Sequence, residues 1–307
     1  VINPPVNSAD PWPAPAKLNL FLHIISRRED GYHNLQTLFQ FLDFGDDLQF
    51  HIRGDGIINR TTVIAGVEPH QDITVRAAGL LKQYTGCALG ADISIDKKIP
   101  LGGGLGGGSS DAATTLLALN HLWELALPHT ELIALGSTLG ADIPVFIYGK
   151  SAWAEGIGEK LQAVELPEPC FVVIYPGIKV STAELFADPE LTRDARPIKI
   201  RDYFEGGACN VFEGIVRRRY PAVDSALKWL SAQEIKSAHP AMMTGTGSCV
   251  FAAYRDAESA RRIAALAELH SATDQTASGW QVICAKACNE SPLAQQLRKV
   301  KRQKNRE

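Results

Sequence analysis

No cysteine of this chain stands in a Cys-x-x-Cys pair. The six (Cys87, Cys170, Cys209, Cys249, Cys284 and Cys288) are scattered over 307 residues, two of them inside apolar runs. That spacing predicts buried thiols of a reducing compartment rather than a disulfide framework. Cys284 and Cys288 lack the nearby histidine or third cysteine that a shared metal would need. Nowhere do eighteen apolar residues run uninterrupted, so no membrane-spanning helix is expected. No apolar targeting segment is visible either, and the expected location is the cytoplasm. The formal net charge of −3 supplies no field for nucleic acid or an anionic membrane, and neither is expected as a partner. Internal repeats are absent as well.

The chain is rich in glycine at one place. In Pro100-Leu101-Gly102-Gly103-Gly104-Leu105-Gly106-Gly107-Gly108-Ser109-Ser110, six of seven consecutive positions are glycine. Such a run bends through backbone conformations closed to other residues and removes side chains that would block a ligand. Ala112, Ala113, Leu116, Leu117 and Leu119 follow at helical spacing, so Ser109 or Ser110 is expected to cap a helix. A glycine loop feeding a helix N-terminus gathers unpaired N–H groups and positive dipole, which suits phosphate. The loop is not a P-loop, because no lysine lies between Lys98 and Lys150. Nor is it a dinucleotide fingerprint, since Asn120 and His121 stand where the ribose-binding acid would fall. The charges for catalysis must come from elsewhere.

Length suits two domains, and the glycine segment Gly156-Ile157-Gly158-Glu159 marks the expected junction, giving residues 1–155 and 156–307. Strand and helix patterns alternate through both, which predicts an α+β fold. Lys17 to His23 alternates as a strand, with Leu18, Leu20 and Leu22 on one face and Lys17 and Asn19 on the other. By periodicity alone this reads as an exposed edge with its leucines inward. Leu35 to Leu42 and Leu48 to Ile52 read as two further strands. Asp142 precedes Pro144 where a helix gives way to an apolar run, the place of a plain turn residue. The stretch Asp188 to Pro197 is too charged for core. The basic end, Leu297 to Glu307, reads as a solvated, partly disordered tail.

Four motifs carry a resemblance. Pro15-Ala16-Lys17-Leu18-Asn19-Leu20, the loop from Pro100 to Ala113, Gly140-Ala141-Asp142-Ile143-Pro144 and Gly245-Thr246-Gly247-Ser248 stand in the order seen in one superfamily. The chain resembles the galactokinase, homoserine kinase, mevalonate kinase and phosphomevalonate kinase (GHMP) superfamily. With Gly31-Tyr32-His33, it is similar to the branch that phosphorylates a cytidine diphosphate conjugate on the non-mevalonate route to isoprenoid precursors. The resemblance covers Pro13 to Leu293 and leaves the proline-rich start and the basic tail unassigned.

It implies a two-domain fold with the active site in the inter-domain cleft, with ATP and Mg2+ as cofactors. Lys17 and Asp142 take the catalytic positions. Pro100 to Ser110 would bind the nucleotide, with Ser110 as the first candidate for the metal and Asp111 the second. Asn19, Thr182, Gly245, Thr246 and Gly247 fall on the substrate side. Tyr32 and Phe186 match the family's stacking positions, and His33 its cytosine-reading position. The rivals are a kinase for a smaller acceptor and a nucleotide-binding protein without turnover. The first would need no aromatic slot, and the second should have lost Lys17 or Asp142.

Overall fold

The computed structural model describes residues 10–233 and 240–304. The first nine residues of the proline-rich start and the last three of the basic tail lie outside them. The first half opens with β1 (Trp12–Arg27) and β2 (His33–Arg53), followed by β3 (Ile58–Arg60), α1 (Ile73–Thr85) and β4 (Gly90–Asp96). Then come α2 (Gly107–Leu122), α3 (His129–Ser137), α4 (Ile143–Tyr148) and the hairpin of β5 (Ala152–Glu155) and β6 (Lys160–Ala163). The second half begins with β7 (Cys170–Tyr175), α5 (Thr182–Ala187), α6 (Ile200–Phe204), α7 (Glu213–Arg219) and α8 (Pro221–Ser231). It ends with β8 (Met242–Met243), β9 (Val250–Tyr254), α9 (Ala257–Thr273), β10 (Gln281–Cys288) and α10 (Pro292–Lys304).

The architecture is α+β. The strands run in the order β3-β4-β2-β10-β7-β9-β8, with β1 and the β5–β6 hairpin also on β2. All pairings are antiparallel except β3 with β4. Strand β10 joins the halves, pairing Ala287 and Cys288 with Leu42 and Phe41 at one end and running beside β7 along the other. One core lies under α1 to α4 and α10, a second under α7 to α9. A third, with Leu18 and Phe21 of β1, Ile99, Leu105 and Val173, fills the join.

Several local readings change. β1 begins at Trp12, through Pro13 and Pro15; there β2 is its strand partner, and an edge position tolerates the missing N–H groups, whereas further on Leu22 also bridges to Asn210. β2 is one strand where two were expected. It continues through Gly45 because a Cβ there would lie 2.3 Å from Ala14 O, so only glycine lets β1 pass. Gly140 to Ile147 holds the short helix α4, with Pro144 in its first turn, where its absent N–H costs nothing. Gly156 to Glu159 is the turn of the β5–β6 hairpin. The basic tail is helical to Lys304, anchored by buried Leu293 and Leu297.

The charged stretch after α5 contains buried Asp188 and Leu191. All six cysteines are free, but only Cys249 is buried, and Cys209 and Cys284 are exposed. Their strands and loops face outward at those points. Among the described residues no helix is long and apolar enough to cross a membrane, and no three His, Cys, Asp or Glu side chains cluster as metal ligands.

Candidate active site

Lys17 is not on an exposed edge. Its side chain is 2% exposed, and Asn19 is 3% exposed. The face that periodicity assigned to solvent lies beneath the glycine loop, because Lys17 N–H donates to Leu105 O at 3.0 Å. A buried ammonium must spend its three protons. Nζ meets three oxygens: Oδ1 of Asn19, the carbonyl of Gly104 at 3.1 Å and Oδ2 of Asp142 at 3.3 Å. The Phe39 ring lies 5.5 Å from it on a further side. Asp142 is 39% exposed and stands at the N-cap of α4, yet makes no side-chain cap bond. Its carboxylate therefore bridges a buried cation and an open cavity.

That cavity measures about 800 Å³ and is walled by residues from both halves of the chain. The glycine loop forms one side. Gly102, Gly104 and Gly106 have φ of +74°, +79° and +75°. At Gly104 a Cβ would lie 2.4 Å from Thr244 O, so the first glycine loop and the second, Gly245 to Ser248, are pressed backbone to backbone. Gly103 O accepts from Cys249 N–H at 3.0 Å across the same seam. Asn210 holds the second loop from beneath, donating to Met243 O and Gly245 O at 2.8 Å each.

Helix α2 begins with Gly106 as its N-cap, and Ser110 N–H makes a bond back to Gly106 O. The amides of Gly107, Gly108 and Ser109 thus have no intrahelical acceptor, and all three residues line the cavity. Neither serine caps the helix. Ser109 faces the cavity, whereas Ser110 is one residue further around the helix and fully buried. Its Oγ has no partner. Beside it, Lys97 is shared at 2.6 Å by Asp46 and Asp111. Burial raises the Asp111 carboxyl above the ordinary carboxylate range, with Lys97 opposing.

Two loop substitutions separate fold from ligand approach. Gly104→Ala combines a positive φ with a backbone clash, and is expected to cost ~1–3 kcal/mol of stability as overpacking does. Gly108 has φ in the ordinary range, and a Cβ there would approach nothing nearer than Ile73 Cγ2 at 3.7 Å. Gly108→Ala should keep the melting temperature and weaken nucleotide binding alone. Calorimetric titration beside thermal unfolding checks both; a Gly108→Ala protein binding nucleotide normally would remove the phosphate from that amide.

At the far end of the cavity stand Tyr32, His33, Thr182 and Phe186. Tyr32 is 60% exposed at the β1–β2 turn, its N–H held by Asp30 at 3.1 Å. His33 stacks on Phe186, centroids 5.1 Å apart at 30°, and Phe212 meets Phe186 edge-on. His33 Nε2 is buried without a partner. Burial, then Arg193 and Arg27, lowers the His33 pKa, so the ring is neutral at neutral pH. Thr182 and Phe186 share one face of α5 by i,i+4 spacing, and Thr182 Oγ1 lies 2.8 Å from Thr246 Oγ1 on the second loop.

The comparison with known proteins follows this geometry. The family models described as GHMP kinases N terminal domain and GHMP kinases C terminal match residues 72–150 and 193–268. The 4-diphosphocytidyl-2-C-methyl-D-erythritol kinase of Nitrosococcus oceani is 54% identical over 289 residues, 94% of this chain and 98% of that protein. The chain belongs to the 4-diphosphocytidyl-2-C-methyl-D-erythritol kinase family. The relative from Alkalilimnicola ehrlichii is 52% identical over 94% of each chain. A crystal structure of 4-(cytidine 5'-diphospho)-2C-methyl-D-erythritol kinase superposes with a TM-score of 0.74 at 31% identity, covering 90% of this chain and 98% of that one. The homoserine kinase of Cytophaga hutchinsonii, at 17% identity and a TM-score of 0.63, shares the fold.

Thus every site residue expected from the family's motifs lies on the cavity wall except the two metal candidates, Ser110 and Asp111, which lie behind it. Sequence reasoning missed the supports. Thr244 accepts Asn19 N–H at 2.8 Å, and Thr37 accepts the Asn19 amide at 2.9 Å. Neither carries a local signal. The doublet Lys97-Lys98 just before the loop was a readable one, since two lysines ending an apolar strand at a phosphate loop call for a charge partner.

Proposed function

We propose that the protein transfers the γ-phosphoryl group of ATP to the tertiary 2-hydroxyl of 4-diphosphocytidyl-2-C-methyl-D-erythritol. The observation that carries the reading is the Lys17 ammonium, held at once by Asp142 and by the Gly104 carbonyl of the nucleotide loop. One buried charge therefore ties the acceptor's base to the donor's cradle. Asp142, half open to the cavity, accepts the proton of the attacking hydroxyl as the oxygen–phosphorus bond forms and ADP departs. Lys17 pairs directly with Asp142 and stabilises negative charge on the incoming oxygen. The free amides at Gly107 to Ser109 and the helix dipole hold the phosphates.

Magnesium, when bound, would neutralise phosphate oxygens, and Ser110 Oγ, buried with no partner, is the oxygen that fits it. Asp111 could add its Oδ1, also buried with no partner, while Lys97 holds its Oδ2. The N- and C-terminal family matches, at 72–150 and 193–268, support a nucleotide half and an acceptor half, and the β5–β6 hairpin carries the first of them on to Ala163.

Tyr32, His33 and Phe186 support a base-bearing acceptor over homoserine or mevalonate, which have no ring to stack. Incubation with magnesium-ATP and the cytidyl substrate, followed by phosphorus NMR, should show a new phosphomonoester resonance beside an intact diphosphate. Turnover of homoserine or mevalonate, with none of the cytidyl substrate, would defeat the proposal.

A further inference from the structure

The orientation of one amide decides whether Lys17 has its third acceptor. Asn19 Oδ1 must face Nζ, and its Nδ2 must face away, since an –NH2 group beside an ammonium sets donor against donor. Asn19 alone does not choose between these two orientations.

Thr37 supplies the choice. Between the pairs Asn19↔Phe39 and Leu22↔Thr37, β1 advances three residues while β2 advances two, a β-bulge beside the site. The Thr37 hydroxyl donates to Phe21 O and accepts from Asn19 Nδ2 at 2.9 Å. A hydroxyl has one proton, and here Phe21 O takes it. What Thr37 offers Asn19 is therefore a lone pair, which accepts Nδ2 and repels Oδ1. Thr37 is fully buried in the cavity wall with its hydroxyl committed to Phe21 O and the Asn19 amide, so it acts through those groups and not on a ligand. The relay runs from Phe21 O through Thr37 and Asn19 to Lys17, ending at Asp142.

We propose that Thr37 is a positioning residue for the phosphoryl transfer: its hydroxyl fixes the Asn19 amide, which in turn holds the Lys17 ammonium against Asp142. The inference rests on the phosphotransfer reading above. Thr37→Val keeps shape and removes the lone pair, freeing the amide to turn. Turnover should fall about 10- to 100-fold, the scale for a misplaced group near the chemistry. The KM values for ATP and for the cytidyl acceptor should stay within about twofold, because no ligand contact is lost. Thr37→Ser retains the hydroxyl and should recover turnover to within about threefold of the unmodified enzyme. In an Asn19→Ala background Thr37→Val should add nothing further, since the relay is already cut.

The kinetics are read with thermal unfolding of each variant. Should Thr37→Val not fold, Thr37→Ala, smaller and equally without a hydroxyl, must show the same fall in turnover. Turnover of Thr37→Val or Thr37→Ala within threefold of the unmodified enzyme overturns the relay, as does an equal loss in Thr37→Ser or additivity with Asn19→Ala. Absence of turnover in the unmodified enzyme overturns the phosphotransfer reading and the relay together.

Discussion

Asp142→Asn is expected to lower turnover at least ~100-fold while nucleotide affinity changes little, the usual lower bound for losing a general base. Asparagine keeps the size of the side chain and an oxygen that Lys17 can reach, so the change isolates proton acceptance from packing. On the proposed reading the nucleotide is held elsewhere, at the amides of Gly107 to Ser109. Lys17→Met should be as damaging to turnover, but it has a second effect that Asp142→Asn lacks. Removing the ammonium leaves Gly104 O and Asn19 Oδ1 without the donor they share, and each unmet buried group costs ~1–3 kcal/mol. Its melting temperature should therefore drop. The double variant should be little slower than either single one, because the two groups act as a unit. Stopped-flow or coupled ADP assays beside nucleotide titration check these expectations. Near-normal turnover in Asp142→Asn would move the base role to another residue.

Tyr32→Ala should raise the acceptor KM roughly 5- to 150-fold and leave the KM for ATP in place, since stacking a base on an aromatic ring contributes ~1–3 kcal/mol. The test is clean at Tyr32, which is exposed. Phe186→Ala is less so, because Phe186 also supports His33 on its face and Phe212 at its edge. It should lose both affinity and some stability, and the two variants together separate stacking from support. Stacking tolerates any base, whereas hydrogen bonds to the edge do not. A uridine analogue should thus be rejected by the unmodified enzyme, less so by His33→Ala, and be weakened in step with the cytidyl substrate by Tyr32→Ala.

His33 adds a pH signature. Its folded-state pKa lies below the ordinary 6.5, so the neutral ring proposed to read the base persists above that value and is lost as pH falls through the lowered one. The acceptor KM should be flat above pH 6.5 and rise below it, a rise that His33→Ala abolishes. Equal changes in the KM for ATP and acceptor in the Tyr32 and Phe186 variants would turn the aromatic slot into a packing feature.

Much of this protein was legible from residues near one another in the chain. The two glycine loops, the helix after the first and the strand through Lys17 each rest on local backbone freedom or a short period. These a sequence determines by itself, because φ preference and side-chain alternation are properties of neighbouring residues. Periodicity misjudged what covers a strand. It placed Lys17 and Asn19 at the solvent, whereas the glycine loop closes over them and supplies a carbonyl to the ammonium. The family resemblance offered Ser110 as the metal candidate, and the fold buries it behind Ser109, which lines the cavity.

Only the tertiary structure decided how the site is assembled. Asp142 reaches Lys17 because α4 packs in the core shared with α2 and turns its first residue back under the loop. Thr37 and Thr244 reach Asn19 through a bulge and through the seam between two loops drawn from opposite halves. Thr244 and Asn19 are joined by a single hydrogen bond across the fold, and such a bond leaves no period or propensity in the chain that a local reading could detect. Burial then gives it consequence, since an ammonium withdrawn from water must have all three of its protons met.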